Sequence, residues 1–196
     1  MITTEQIKAL REQTGISVMQ CKVALEEAGG DMDKAIMILK KKGKAIAAKK
    51  SDRNLGSGVV ASYIHSTGAV GTMVELLCET DFVAKNEDFK KLAYDIAMHI
   101  AATNPEFTSV GDISEEDKER IKELFVKEVE ESDKPDDIKE KMLQGKLDAY
   151  FKERTLLEQP FIKDPSITIN GLIEGAVQKF GENTEIGKFV RFSISG

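Results

Sequence analysis

A change in the period of the apolar residues near position 55 restricts this chain to an α+β fold built in two parts. Up to Gly43 the apolar residues recur at helical spacing between short turns, whereas Gly58–Ser66 and Ala69–Glu79 are rich in β-branched residues and alternate. Thr3 is placed to cap a first helix, with Gln6 three residues on completing a capping box, and Ile7 and Leu10 on its apolar side. Gly15 ends it, since glycine tolerates the positive φ of a helix C-terminus. Ser17 caps a second helix running to Gly29-Gly30. Asp31 caps a third, which carries Ala35, Ile36 and Leu39 and is expected to stop near Gly43. Turns this short force the three helices onto one another. A bundle so small has a thin core, so residues 1–43 read as a module that presents a surface.

Residues 44–55 follow as a basic linker. Up to Leu55 the chain holds 11 basic and 7 acidic residues, against 17 and 27 after it, and the whole carries a net charge of -6. The acidic balance argues against a dedicated nucleic-acid binder, which needs clustered Lys and Arg to neutralise phosphate. The run from Lys40 to Arg53 reads as a solvated helical linker in preference to an RNA contact. No stretch approaches the ~18 apolar residues of a membrane span. The segment Met1–Glu5 has no basic region leading into an apolar run, so a cytoplasmic location is expected.

Residues 56–196 read as an α+β core in which a three-stranded antiparallel sheet packs against helices. Ser66-Thr67-Gly68-Ala69 forms the turn of a hairpin. In its second strand Val70, Thr72, Val74, Leu76 and Cys78 share one face, with Met73 and Leu77 on the other. Asn86 caps a long helix striped by Phe89, Leu92, Ala93, Ile96, Ala97 and Ile100. Acidic helices at about 114–154, the first capped by Ser114 and the pair interrupted at Lys134-Pro135-Asp136, form a helical hairpin standing off the core. A last helix from Ile169 to Phe180 leads to a strand from Lys188 to Ser195.

The residues offer little chemistry. A phosphate loop needs a glycine-rich turn ending Gly-Lys-Ser/Thr, but Gly187-Lys188 is followed by Phe189. Two cysteines, Cys21 and Cys78, make neither a disulfide framework nor a zinc spacing and read as small buried hydrophobes. The histidines are His65 and His99; Cys78 and His65 sit on adjacent strands, and structural roles are favoured for both. No enzyme, cofactor, metal or direct nucleotide-binding reading has a constellation behind it.

Two features point to binding. At 100° per residue Val18, Cys21, Ala24, Leu25 and Ala28 can face the bundle, while Met19 and Val23 point away as an i, i+4 stripe. That stripe is either incidental exposure or a partner contact. The second feature is Thr80-Asp81-Phe82-Val83, between the strand and the helix capped by Asn86. By itself such a Phe-Val pair is expected to pack back on its own domain. The other reading is a protruding phenylalanine that fills a pocket elsewhere, worth ~1.5–3 kcal/mol by burial.

Three groups of residues in register carry a resemblance. They are Thr14-Gly15, Met19, Cys21-Lys22 and Ala24-Leu25 with Gly30-Asp31-Met32-Asp33-Lys34-Ala35, then Thr80-Asp81-Phe82-Val83-Ala84-Lys85, then Leu157-Glu158-Gln159-Pro160-Phe161. Together they resemble the elongation factor Ts family along essentially the whole chain. The first module is similar to a ubiquitin-associated three-helix domain. The resemblance implies a non-catalytic guanine-nucleotide exchange factor for elongation factor Tu, which binds the GDP-bound GTPase, displaces Mg²⁺ and lets GTP replace GDP. It implies that Thr80, Asp81, Phe82 and Val83 contact the GTPase domain, with Phe82 wedged between two helices, and that Arg11, Val18, Met19 and Lys22 grip another helix. Longer members carry two related core subdomains; this chain resembles the short members, whose chains pair, so a homodimer is expected. Gln20 departs from the acidic residue of many relatives. A generic helical module for ubiquitin-like partners would use only the first forty residues, and a ribosome- or RNA-associated protein only Lys40–Arg53.

Overall fold

The computed structural model describes residues 2–132 and 134–194. Helices α1 (Thr4–Thr14), α2 (Val18–Glu27) and α3 (Met32–Lys50) form the N-terminal module. The capping box is complete: Gln6 N–H donates to Thr3 Oγ1 at 3.2 Å and Thr3 N–H to Gln6 Oε1 at 3.0 Å. Gly15 ends α1 at φ +70°. Leu10, Ile16, Cys21, Ala24, Leu25, Ala35 and Leu39 close the small core.

The third helix does not stop at Gly43. It runs on to Lys50, taking in the first half of the expected linker. Gly43 is there for its missing side chain, because a Cβ would stand 2.8 Å from Gln178 Oε1 and 3.5 Å from the Glu174 carbonyl oxygen. A glycine that looks like a helix stop is a close-packing point against a helix far along the chain.

The core begins with strands β1 (Ser57–Ile64) and β2 (Val70–Cys78), joined through a turn in which Gly68 takes φ +69°. A four-residue turn, α4 (Asp81–Ala84), leads into α5 (Glu87–Thr103). Helices α6 (Glu115–Glu130) and α7 (Asp136–Arg154) make the expected hairpin. Its base is joined to the core by a chain of aromatic contacts, Phe125–Tyr150 at 5.8 Å, Tyr150–Phe151 at 5.4 Å and Phe151–Phe107 at 6.3 Å. A small hairpin of β3 (Pro160–Phe161) and β4 (Asp164–Thr168), not anticipated from the sequence, precedes α8 (Ile169–Phe180) and β5 (Thr184–Ser193). β5 starts four residues earlier than expected; the expected end, Ser195, lies outside the described residues.

The three-stranded sheet is antiparallel with order β1-β2-β5. Its inner face lies on α5, with Val74, Leu76 and Cys78 in one core with Phe89, Ala93, Ile96, Ala97, Ile100, Ile169 and Ile173. Thr72 Oγ1 donates to the Ala97 carbonyl at 2.7 Å and Arg191 Nε to the Ala101 carbonyl at 3.2 Å, pinning the sheet to the helix. The outer face leaves Val60, Ile64, Met73, Val190 and Phe192 exposed. No helix among the described residues is long and apolar enough to cross a membrane.

Candidate functional site

The central strand β2 leaves the core at Cys78, and the next residues fix the turn that follows. The Cys78 thiol donates to the Thr80 carbonyl at 3.2 Å. Burial, then the nearby Glu182 carboxylate, push that thiol above its ordinary pKa, so it stays protonated. Glu79 accepts from Asn183 N–H at 2.6 Å and pairs with Arg53 at 3.3 Å; the backbone bond from Asn183 is the main reason its carboxyl is held low. Thr80 N–H donates to Glu182 Oε2 at 3.0 Å and Thr80 Oγ1 to Glu182 Oε1 at 2.6 Å.

On this footing the turn divides its two apolar residues. Val83 is 4 % exposed and belongs to the core under α5, whereas Phe82 is 80 % exposed. Packing back, expected for the pair, holds for Val83 alone. Successive residues of a helix are rotated by about 100°, and burying Val83 drives Phe82 outward. Asp81 stands beside it, paired with Lys85 at 2.5 Å; the Lys85 hydrogen bond keeps its carboxyl below the ordinary range. Both partners are largely exposed, so this pair adds little to stability. Asn86 closes the segment by accepting from Asp88 N–H at 2.9 Å.

The second predicted group lies on a separate core. Met19 is 74 % exposed on α2, with Val23 one turn on. Val18 also stands in solvent rather than facing the bundle, because it is the first residue of α2 and has no preceding turn to pack beneath. Arg11 and Lys22 are exposed, the latter 3.8 Å from Glu26. Met37 on α3 is a further exposed apolar residue that the helical pattern alone did not single out.

Gln20 is spoken for within the chain: it accepts from Gln178 Nε2 at 2.8 Å, tying α2 to α8. Cys78 and His65, though on the same hairpin, do not meet. In the hairpin register Cys78 pairs with Ser57, while His65 follows Ile64 at the opposite end and meets the Tyr63 hydroxyl at 3.2 Å.

The family described as Elongation factor TS matches residues 23–196. Elongation factor Ts of Carboxydothermus hydrogenoformans is 50% identical over 194 residues, 99% of this chain and 89% of that protein. The chain belongs to the elongation factor Ts family. The Thermodesulfovibrio yellowstonii member is 49% identical over 193 residues, covering 98% of this chain and 96% of its own length. The Thermosipho melanesiensis member is 44% identical over 194 residues, 99% of each chain. In this elongation factor Ts family chain, the sequence pattern singled out the Phe82–Val83 turn but not the residues bonded to its first residue, Thr80. Glu182 and Asn183 lie a hundred residues beyond the turn, and a Gly-Glu-Asn run after a helix signals only a turn.

Proposed function

We propose that this protein is a guanine-nucleotide exchange factor for elongation factor Tu, acting by contact and without chemistry of its own. The observation that carries the reading is Phe82, a large apolar side chain 80 % exposed on a turn whose neighbour Val83 is locked in the core. A pocket that covered such a ring would remove a large apolar surface from water. Seated in a pocket of the GTPase, Phe82 would gain about 1.5–3 kcal/mol by burial. Asp81 goes in beside it as a charged group able to compete for polar contacts there.

Insertion would displace the elements that hold Mg²⁺ and the phosphates. Mg²⁺ bridges phosphate oxygens to protein ligands, so its loss leaves the phosphate charge poorly neutralised and the nucleotide weakly held. The N-terminal module, in the manner of a ubiquitin-associated domain, adds a second grip through Arg11, Val18, Met19 and Lys22. The factor favours the empty GTPase, and linkage makes its antagonism with nucleotide reciprocal. The working place is the bacterial cytoplasm.

The active form is a homodimer. Val60, Ile64, Met73, Val190 and Phe192 lie on one face of the sheet, where the register sets Met73 opposite Val190 and Gly71 opposite Phe192. Two copies related by a twofold axis would lay these faces together as a sandwich, burying the same residues on both sides.

The test is release of a fluorescent GDP analogue from elongation factor Tu. Acceleration by the wild-type protein, reduced about 10–100-fold by Phe82→Ala, is the expected result. A folded wild-type protein that leaves the release rate unchanged would overturn the exchange function.

A further inference from the structure

We propose that Glu182 is a positioning residue that holds the Asp81–Phe82 turn in its projecting orientation, a role that rests on the exchange reading above. Thr80 is the N-cap of α4, in extended conformation at φ -127° and ψ 157°, yet its side chain makes no bond to its own helix. A threonine at this position ordinarily satisfies a free N–H of the first turn. Here the hydroxyl is diverted, and both the Thr80 hydroxyl and its N–H donate to the two oxygens of Glu182. This four-residue helix has only two bonds of its own repeat, Ala84 N–H to the Thr80 carbonyl and Lys85 N–H to the Asp81 carbonyl. Val83 burial sets which way Phe82 faces, and the hold on Thr80 fixes the end from which the turn projects.

Glu182 is itself held from behind. Gly181 ends α8 at φ +74°, and its carbonyl accepts from Lys50 Nζ at the end of α3. On the other side, Asn183 N–H donates to Glu79 and Asn183 Nδ2 to the Ser51 carbonyl at 3.4 Å. The last backbone pair of the β2–β5 ladder is Cys78 with Thr184. Beyond it the two strands stay linked through carboxylates: Glu79 takes the N–H of Asn183, and Glu182 takes the N–H of Thr80. These are charge-assisted bonds, stronger and more directional than neutral ones. The arrangement transmits the position of α8 and the C-terminal end of α3 to the base of the turn that carries Phe82.

The assay compares wild type, Glu182→Gln, Glu182→Ala and Thr80→Val for GDP-analogue release from elongation factor Tu, with Phe82→Ala as a second background. Glu182→Ala is expected to lower the maximal exchange rate about tenfold, with half-saturation changed less than about twofold. Glu182→Gln, which keeps one acceptor oxygen for the pair of donors, falls between, and Thr80→Val loses about threefold. In the Phe82→Ala background Glu182→Ala has no further effect, because there is no ring left to aim. A wild-type rate for Glu182→Ala, or an equal loss with and without Phe82, overturns the positioning role. Amide hydrogen exchange at residues 80–84 of the free protein is the readout that does not need the GTPase. Faster exchange there in folded Glu182→Ala keeps the tether even if wild type fails to release GDP; unchanged exchange removes it.

Discussion

Gln178 in α8 meets the N-terminal module twice: its Nε2 donates to Gln20 Oε1 at 2.8 Å, and its own Oε1 occupies the place where a Gly43 side chain would begin. The module is therefore seated on the core by a buried amide between two helices. Gly43→Leu is expected to destabilise the protein by about 1–3 kcal/mol through overpacking. Gly43→Ala should be nearly neutral, since the roughly 1 kcal/mol gained in helix propensity offsets the displaced amide. Urea unfolding of the two variants checks both values.

Phe82 and Val83 should separate function from stability. Phe82→Ala changes unfolding free energy by less than about 0.5 kcal/mol, as expected of an exposed side chain. Val83→Ala, in the core, costs about 1–3 kcal/mol. Denaturation curves measured beside the exchange assay show whether the two neighbours divide the work in this way.

His99 predicts a pH dependence. It is fully buried, with Nε2 2.9 Å from Gln159 Oε1, and Nδ1 accepting from Ile162 N–H at 3.3 Å. The ring is neutral there, and burial holds its pKa below the ordinary 6.5. As pH falls through about 6.5 the unfolded chain takes up a proton that the folded protein refuses. The stability this gives is thus fully present above that pH and declines below it, at up to about 1.4 kcal/mol per unit. Glu79, Asp81, Asp88 and Asp164 are all held below 4.5 or 3.8, so their contributions are lost at lower pH. Unfolding free energy measured between pH 7.5 and 5.5 should slope downward in wild type and flatten in His99→Gln.

The outer face of the sheet predicts an association state. Light scattering on the wild-type protein should give about twice the 21.7 kDa of one chain. Phe192→Glu places a charge within that apolar face, and the protein should become monomeric while remaining folded. A monomeric wild type would remove the dimer from the proposal.

Met19 carries a prediction about partner binding. Replacing it by Ala should weaken association with elongation factor Tu about 5–30-fold, the scale of one buried apolar side chain, without changing the melting temperature. Titration calorimetry against nucleotide-free elongation factor Tu measures it.

What could be read in advance followed from how local its cause is. The caps at Thr3, Ser17, Asp31, Asn86 and Ser114 bond within four residues of themselves, and each begins the helix expected of it. The helix Ile169–Phe180 was bounded correctly because threonine and glycine flank a clean apolar stripe. Gly43 was misread because its reason lies in Gln178. The β3–β4 hairpin was missed because two residues, one of them Pro160, carry no alternation. At the turn, the pattern located the Phe82–Val83 pair but not which of the two faces solvent, since that depends on Val83 and Ala84 packing into the core with residues distant in sequence.

The unbroken α3 gives the molecule a fixed gauge. Nineteen helical residues from Met32 to Lys50 make a rod about 28 Å long. One end of that rod stands in the bundle that bears Met19, and the other reaches the Gly181 carbonyl beside Glu182. A single residue inserted near Ala47 would turn one end against the other by about 100° and lengthen the rod by about 1.5 Å. A surface that fits both ends of this protein must therefore match its spacing and its angle together, so an insertion that touches neither end can still spoil the fit by changing the gauge between them.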